Sequence, residues 1–442
     1  MNYITPDLIF YHSLVVFGSL LVVFVLVHML YHRRSSSSIV AWILFILLVP
    51  YIAVFMYLII GSRKRENRYK KQKITQKNVS RCSEFKLFFD AIASYNEFLD
   101  SINNAKKSIY ISVYVFNHDK TTEKIIKTLT KKAKEGVDIK ILIDSLGSIM
   151  LYLFDSKLKE LKGAGAKIEF FMPIFKMPFR NYINLRNHRK IFIFDNEKVL
   201  SGGLNLSNEY IGAKKDKARW EDIMFLLKGE VVEHFFDIFA SDWFYASDER
   251  LEFIQQIHTS NLSTGISLQV VPSGPDMSRD VLYEMLLSSI YSAKKKIYII
   301  TPYFIPNSAL IQSLIIAKHK GVDVVLITPK ESNHTIVNLV RSSYMRELEE
   351  ADINIYLYED TMLHAKAILF DDECAVLGSA NFDNRSLFLN YEVATFVYNA
   401  QIIKEVDMWI AGLISKSSSG TSESSYSRRV FENLTRVLAP QL

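Results

Sequence analysis

A polar pattern that occurs twice constrains this chain more than any other feature. His188-Arg189-Lys190 is followed by four apolar residues and Asp195, then by Gly202 and Asn205. His364-Ala365-Lys366 is followed at the same spacing by Asp371, Gly378 and Asn381. The two histidines stand 176 residues apart. The apolar runs read as strands, and side-chain alternation puts each His and Lys on one face. Two such faces meeting across a pseudo-twofold axis would surround one point with two imidazoles and two ammoniums. That is a setting for a phosphodiester anion.

The repeat extends beyond these residues. Residues 106–116 match 295–304, 133–143 match 317–328, and 167–171 match 353–357. Short β-branched or aromatic runs alternate with Lys/Glu-rich helical patterns that end in Gly. The fold class implied is α/β: two duplicated domains, each a mixed sheet flanked by helices. Helices are predicted over 121–135, 153–162, 281–293, 308–320 and 332–350. Domain one spans 80–262 and domain two 263–442, with a link near 261–265. The serine-rich segment 415–427 reads as a mobile loop. A C-terminal helix over 428–438 carries Val430, Phe431, Leu434, Val437 and Leu438 on one stripe. Docking on the second domain is the expectation for it, and the membrane surface is the alternative.

Residues 8–31 and 39–60 contain no Lys, Arg, Asp or Glu. About 20 helical residues cross the hydrocarbon of a bilayer, so a transmembrane hairpin over residues 1–62 is expected. Pro50 would kink its second span. Seven basic residues between Arg63 and Lys73 form a linker over 63–79, against two, Arg33 and Arg34, in the hairpin loop. This bias places the catalytic part in the cytoplasm. The bilayer is therefore an expected partner, and the phosphodiester is expected to be a phospholipid. The net charge of +6 also fits nucleic acid, but no Lys/Arg and aromatic-rich strip lies near the motifs, so none is expected. The two cysteines, Cys82 and Cys374, exclude a disulfide framework.

Breaking a phosphodiester needs a nucleophile, a proton for the departing oxygen and positive charge around the phosphoryl oxygens. His188 and His364 suit the first two roles. Lys190 and Lys366 suit the third, with Asn205, Asn381 and Ser379 as phosphate ligands. No metal or other cofactor is required. Asp195 and Asp371 complete the motif and are candidates for the catalytic set, although their place beyond the lysines favours strand-end structural roles. Each histidine needs an acceptor for its second ring nitrogen. Asp222 and Glu392, which follow the motifs and open apolar strands, are the candidates, with Glu221 as a rival to Asp222.

These residues resemble the signature of the phospholipase D superfamily. Within it the chain is most similar to the bacterial cardiolipin synthases. Arg33-Arg34, Ala41-Trp42, Asn187-His188, the run 301–306 and the run 381–392 carry that likeness. The resemblance implies two α/β domains around one site in a multi-pass protein of the bacterial inner membrane. It implies phosphatidyl transfer between two phosphatidylglycerol molecules, giving cardiolipin and glycerol, with His188 as nucleophile and His364 as acid/base. A membrane-anchored phospholipase D hydrolase is the alternative, and a nuclease a weaker one. Tyr303, Phe304 and Arg385 are candidates for the acceptor side, with structural roles as the alternative. The apolar run 170–179 either dips into the leaflet or packs between domains. One departure is Gly203, where the family usually has Ser.

Overall fold

The computed structural model describes residues 6–31, 36–61, 79–175, 184–254, 265–421 and 424–436. They fall into two compact units, residues 1–63 with 174–184 and residues 64–173 with 185–442. The basic run after the hairpin, the loop arginines, the 261–264 link and residues 176–179 of the run 170–179 lie outside the described residues.

Helix Pro6–Tyr31 opens the first unit, and its Ile9–Tyr31 part is long and apolar enough to cross a membrane. The second apolar stretch departs from the expected single span. It forms two helices, Ser36–Leu48 and Pro50–Ile60, of 13 and 11 residues. Pro50 has no N–H to continue the first helix and its ring clashes with the preceding turn, so it starts the second helix behind Val49. Neither piece alone has the length of a span. Val25, Met29, Trp42, Ile46, Ala53, Val54 and Tyr57 form the core of this unit.

The second unit holds two large sheets of one design. The first orders its strands Glu84–Phe88, Met224–Lys228, Lys198–Gly202, Ile191–Phe194, Ser108–Val113, Asp138–Asp144, Lys167–Phe171. The last three are parallel to one another, and the other neighbours pair antiparallel. The second sheet repeats this order with Ile266–Ser273, Glu392–Val397, Cys374–Gly378, Ala367–Phe370, Lys296–Ile300, Asp323–Pro329 and Asn354–Tyr358. Its strands are buried nearly throughout, as sheets covered on both faces require. Helix Lys120–Lys134 illustrates local encoding: the Asp119 carboxylate accepts the Thr121 and Thr122 N–H groups and closes a capping box. Cys82 and Cys374 are free and buried.

Three local expectations are corrected. Residues Ser80–Cys82, read as the start of the first domain, add an edge strand to the second sheet, pairing with Ile266–Leu268. The predicted helix over 153–162 is broken into Ile149–Leu153, a 3-10 turn Asp155–Leu158 and Lys159–Gly163. Within the serine-rich segment, Ser417–Ser419 pairs with Tyr356–Tyr358 as the other edge strand, because that edge offers free backbone groups. The last helix, Tyr426–Thr435, docks on helix Thr335–Glu349 with its polar side. Asn433 meets Ser343, Glu432 meets Arg346, and Arg436 meets Glu347 and the Tyr344 ring. Val430, Phe431 and Leu434 point outward, half or more exposed.

Candidate active site

The motif strands begin just after the lysines, at Ile191 and Ala367. The histidines sit on the extended segments ahead of them, and each segment bridges to the opposite half. Asn187 pairs with Tyr391 and Leu363 with Glu221. The His188 amide donates to the Tyr391 carbonyl at 2.9 Å, and the His364 amide to the Glu221 carbonyl at 2.7 Å. The next residue on each partner segment is the acid. The histidine–carboxylate pairs are therefore crossed: His188 Nδ1 lies 2.9 Å from Glu392 Oε1, and His364 Nδ1 lies 2.6 Å from Asp222 Oδ2. Both acids are buried. Glu221 is turned away and accepts from Trp409 Nε1.

Alternation puts Lys190 and Lys366 on the histidine face. Lys190 Nζ donates to the His188 carbonyl at 2.8 Å. Lys366 Nζ donates to the His364 carbonyl and lies 2.7 and 3.0 Å from the two His364 ring nitrogens. Arg189, between His188 and Lys190, faces the other way. There it pairs with Asp242 at 2.6 Å and donates to the Ser273 carbonyl. Tyr114 packs edge-on against the His188 ring, and Tyr210 and Trp220 flank His364.

Burial sets the charge states. It drives His188 down to about 4 and His364 to about 3, against the pull of Glu392 and Asp222. It also lowers Lys190 to about 7 and Lys366 to about 8. Burial raises both carboxylates, but neighbouring ammoniums and hydrogen-bond donors outweigh it and hold them below their ordinary range: Lys366 and His364 for Asp222, His188 and Lys190 for Glu392. The resting site thus has neutral imidazoles whose Nδ1–H groups donate to ionised acids. The Nε2 lone pair of His188 is left for chemistry, while Nε2 of His364 lies 3.0 Å from Lys366 Nζ.

The remaining predicted residues divide. Ser379 Oγ donates to Glu392 Oε2 at 2.5 Å and accepts the Val393 N–H at 3.0 Å. It acts on the acid; no phosphate role is needed to explain it. Asn205 Oδ1 accepts the Val115 N–H at 3.1 Å. The buried Asn381 Oδ1 has no partner, and Asn381 lines a small cavity with Lys366 and Thr301. Asp195 and Asp371 are not with the histidines. Each sits at a positive φ in the turn after its strand and accepts three backbone N–H groups: those of Lys106, Lys107 and Ser108, and those of Lys294, Lys295 and Lys296. Phe304 is a core residue stacked on Phe382, which corrects the expectation that it lines the acceptor side. Tyr303 is part-exposed, its hydroxyl 2.6 Å from Asn333 Oδ1. Arg385 interacts electrostatically with Tyr114 and Asp383.

Sequence reading missed Tyr114 and Tyr210. Tyr114 lies in the repeated strand segment, but its counterpart by register is Pro302, so the duplication gave no signal. Among the described residues, no group of three or more His, Cys, Asp or Glu is placed to hold a metal ion.

Comparison with known proteins identifies the family. The family described as cardiolipin synthase, PLD-like domain, matches residues 98–243 and 286–414. A phospholipase D-nuclease N-terminal family matches residues 20–62. Cardiolipin synthase of Clostridium perfringens (strain 13 / Type A) is 32% identical over 92% of this chain and 95% of its own length. The cardiolipin synthase of Geobacillus kaustophilus (strain HTA426) is 29% identical over 95% of this chain and 92% of its own. The crystal structure of phosphatidylserine synthase from Haemophilus influenzae Rd KW20 superposes with a TM-score of 0.63 at 16% identity, covering 81% of this chain and 95% of that one, and shares the fold.

Proposed function

The chain belongs to the cardiolipin synthase family of the phospholipase D superfamily, and from that membership we propose that it joins two phosphatidylglycerol molecules into cardiolipin, releasing glycerol. It is a phosphatidyltransferase of that superfamily. The observation that carries the finer reading is the pair of buried, crossed histidine–carboxylate couples flanked by two buried lysines.

In the first step His188 Nε2 attacks phosphorus of the donor. An N–P bond forms, the P–O bond to the glycerol headgroup breaks, and His364 protonates the departing oxygen. In the second step a hydroxyl of the acceptor phosphatidylglycerol gives its proton to His364 and attacks phosphorus. The N–P bond breaks, and His188 is regenerated. A phosphodiester between the histidines adds negative charge to a site where burial disfavours protonated imidazole, so it raises both pKa values and lets His364 hold the proton it must give. Lys190 and Lys366 balance the charge that gathers on the phosphoryl oxygens. The Nδ1 bonds to Glu392 and Asp222 orient the rings and stabilise each imidazolium as it forms. His188 is assigned as nucleophile because the Lys366 ammonium lies against both ring nitrogens of His364.

Labelled phosphatidylglycerol given to the purified enzyme tests this reading. Cardiolipin plus glycerol is expected. Phosphatidic acid as the main product would make the enzyme a hydrolase. Acid-quenched protein worked up at neutral or alkaline pH should retain phosphorus label but no headgroup label, on His188. The catalytic unit is proposed to face the cytoplasm. An impermeant thiol reagent should then reach a cysteine at position 36 on intact cells, but not one at position 424.

A further inference from the structure

Each half buries an arginine at the C-terminal ends of its parallel strands, and only one of the two has a carboxylate. In the first half, Arg186 Nη1 meets Asp144 Oδ1 at 3.2 Å, with both side chains almost fully buried. In the second half, Arg341 on helix Thr335–Glu349 is 2% exposed. Its Nη1 donates to Thr328 Oγ1 at 3.0 Å, and its Nη2 donates to the Lys330 carbonyl at 2.8 Å. Its Nε has no partner. Among the described residues no carboxylate forms an ion pair with it. The exposed Glu331 acts on it only through its field. Aligning strand Asp323–Pro329 with Asp138–Asp144 puts Pro329 where the first half has Asp144.

A buried charge without a counter-ion costs several kcal/mol unless something else offsets it. Burial lowers Arg341 only to about 10, so it is charged at neutral pH. The ends of parallel strands are where sheets of this kind take ligands. The surroundings also connect Arg341 to the reacting centre. Thr301, which lines the small cavity with Lys366 and Asn381, donates its N–H to the carbonyl of Ile327, next to Thr328, and its hydroxyl to the Tyr303 carbonyl. Tyr303 is held through its hydroxyl by Asn333, and its ring faces His334; both of these residues are on an exposed loop.

We infer that Arg341, with Thr328 and Tyr303, forms a second phosphodiester subsite, which holds the phosphate of the acceptor lipid. This rests on the proposed transfer between two phosphatidylglycerols. That reaction brings two phosphodiesters together, one broken and one left intact. The histidine–lysine set is committed to the first. The intact one needs a fixed cation that takes no part in proton transfer, and a guanidinium that stays charged and can give two parallel hydrogen bonds fits that need.

Two assays on the full-length enzyme, in detergent micelles of phosphatidylglycerol, separate this role from a structural one. One measures cardiolipin formation. The other measures incorporation of labelled glycerol into phosphatidylglycerol, which uses the same donor and the same phosphohistidine but an acceptor without phosphate. In Arg341→Met the ratio of cardiolipin formation to exchange should fall about tenfold or more, the loss expected for one charge-assisted contact. Thr328→Asp, which supplies an internal carboxylate to the guanidinium, should lower the same ratio. If Arg341→Met fails to fold, Thr328→Asp decides. A ratio equal to wild type in the folded variants, whether both activities persist or fall together, overturns the subsite. Wild-type enzyme that performs neither reaction would instead overturn the reading of function.

Discussion

The two halves of the catalytic unit share a strand order and a His-x-Lys face, yet they hold their acids differently. In the second half the longer Glu392 stands clear of the backbone, and the Ser379 hydroxyl fills the gap and donates to it. In the first half the shorter Asp222 lies closer to the backbone and takes the Ile223 N–H at 2.8 Å. Gly203 stands where Ser379 does, and a Cβ there would come within 2.1 Å of Asp222 Oδ1. The missing hydroxyl is therefore matched by a missing methylene in the acid. Gly202 and Gly378, by contrast, do the same work in both halves: a Cβ at either would strike the carbonyl of Ile223 or Val393. Backbone approach is thus preserved across the duplication, while the side chains around each carboxylate have diverged as pairs.

The largest effects should come from the residues the halves have in common. Replacing His188 or His364 by Ala is expected to lower turnover by on the order of 10⁴-fold or more, and the double variant should be little worse, because the two act as a unit. Near-normal cardiolipin synthesis by either single variant in a radiolabel assay would break the two-histidine mechanism. Glu392→Gln and Asp222→Asn should cost about 10²- to 10⁴-fold in kcat, since an amide cannot stabilise the imidazolium. Because the pairs are crossed, a donor whose leaving group departs without a proton should restore phosphohistidine formation in Asp222→Asn but not in Glu392→Gln. The reverse pattern would exchange the roles of the two histidines.

The divergent pairs offer a sharper test of the comparison. Gly203→Ser should displace Asp222 and destabilise the fold by about 1–3 kcal/mol, the usual range for overpacking. It should also lower activity. Adding Asp222→Glu rebuilds the arrangement of the second half and should recover part of both losses. A double-mutant cycle in which the two changes simply add would remove the coupling argued here.

The lysines set the pH response. With Lys190 lowered by burial to about 7 and Lys366 to about 8, kcat/KM should fall as pH rises through that range and the free enzyme loses its ammoniums. Bound phosphodiester favours the charged forms, so the alkaline limb of kcat should lie at higher pH. Stability should run the other way. These groups protonate more readily unfolded, near 10.5, than folded, so the contribution is full above 10.5 and is lost as pH falls toward about 7. Thermal melts of Lys190→Met against pH should show a flatter curve. The smallest effect is expected outside the site. Asp195→Asn and Asp371→Asn each weaken three backbone contacts, and Asn tolerates the positive φ, so a loss of about 1–2 kcal/mol with unchanged kcat/KM is expected.

Much of this was legible in the sequence because it is local or repeated. Strand and helix order follows from hydrophobic periodicity, and the His-x-Lys spacing alone puts both side chains on one face. The identities of Asp222 and Glu392 were legible too, but their partners were not. The crossing arises where Asn187 pairs with Tyr391 and Leu363 with Glu221, contacts between residues far apart in the chain that no spacing records. The same holds for Phe304, whose aromatic character suggested a pocket wall until its stacking on Phe382 placed it in the core.

The sequence by itself determined a duplicated α/β chain with an apolar N-terminus and a paired histidine–lysine site, since period and composition are properties of neighbouring residues. Tertiary structure alone decided the crossed acids, the uncompensated Arg341, and the outward-facing apolar edge of the last helix. Each of these depends on which distant group fills the space beside a side chain, and in a close-packed interior that is settled by the whole fold at once.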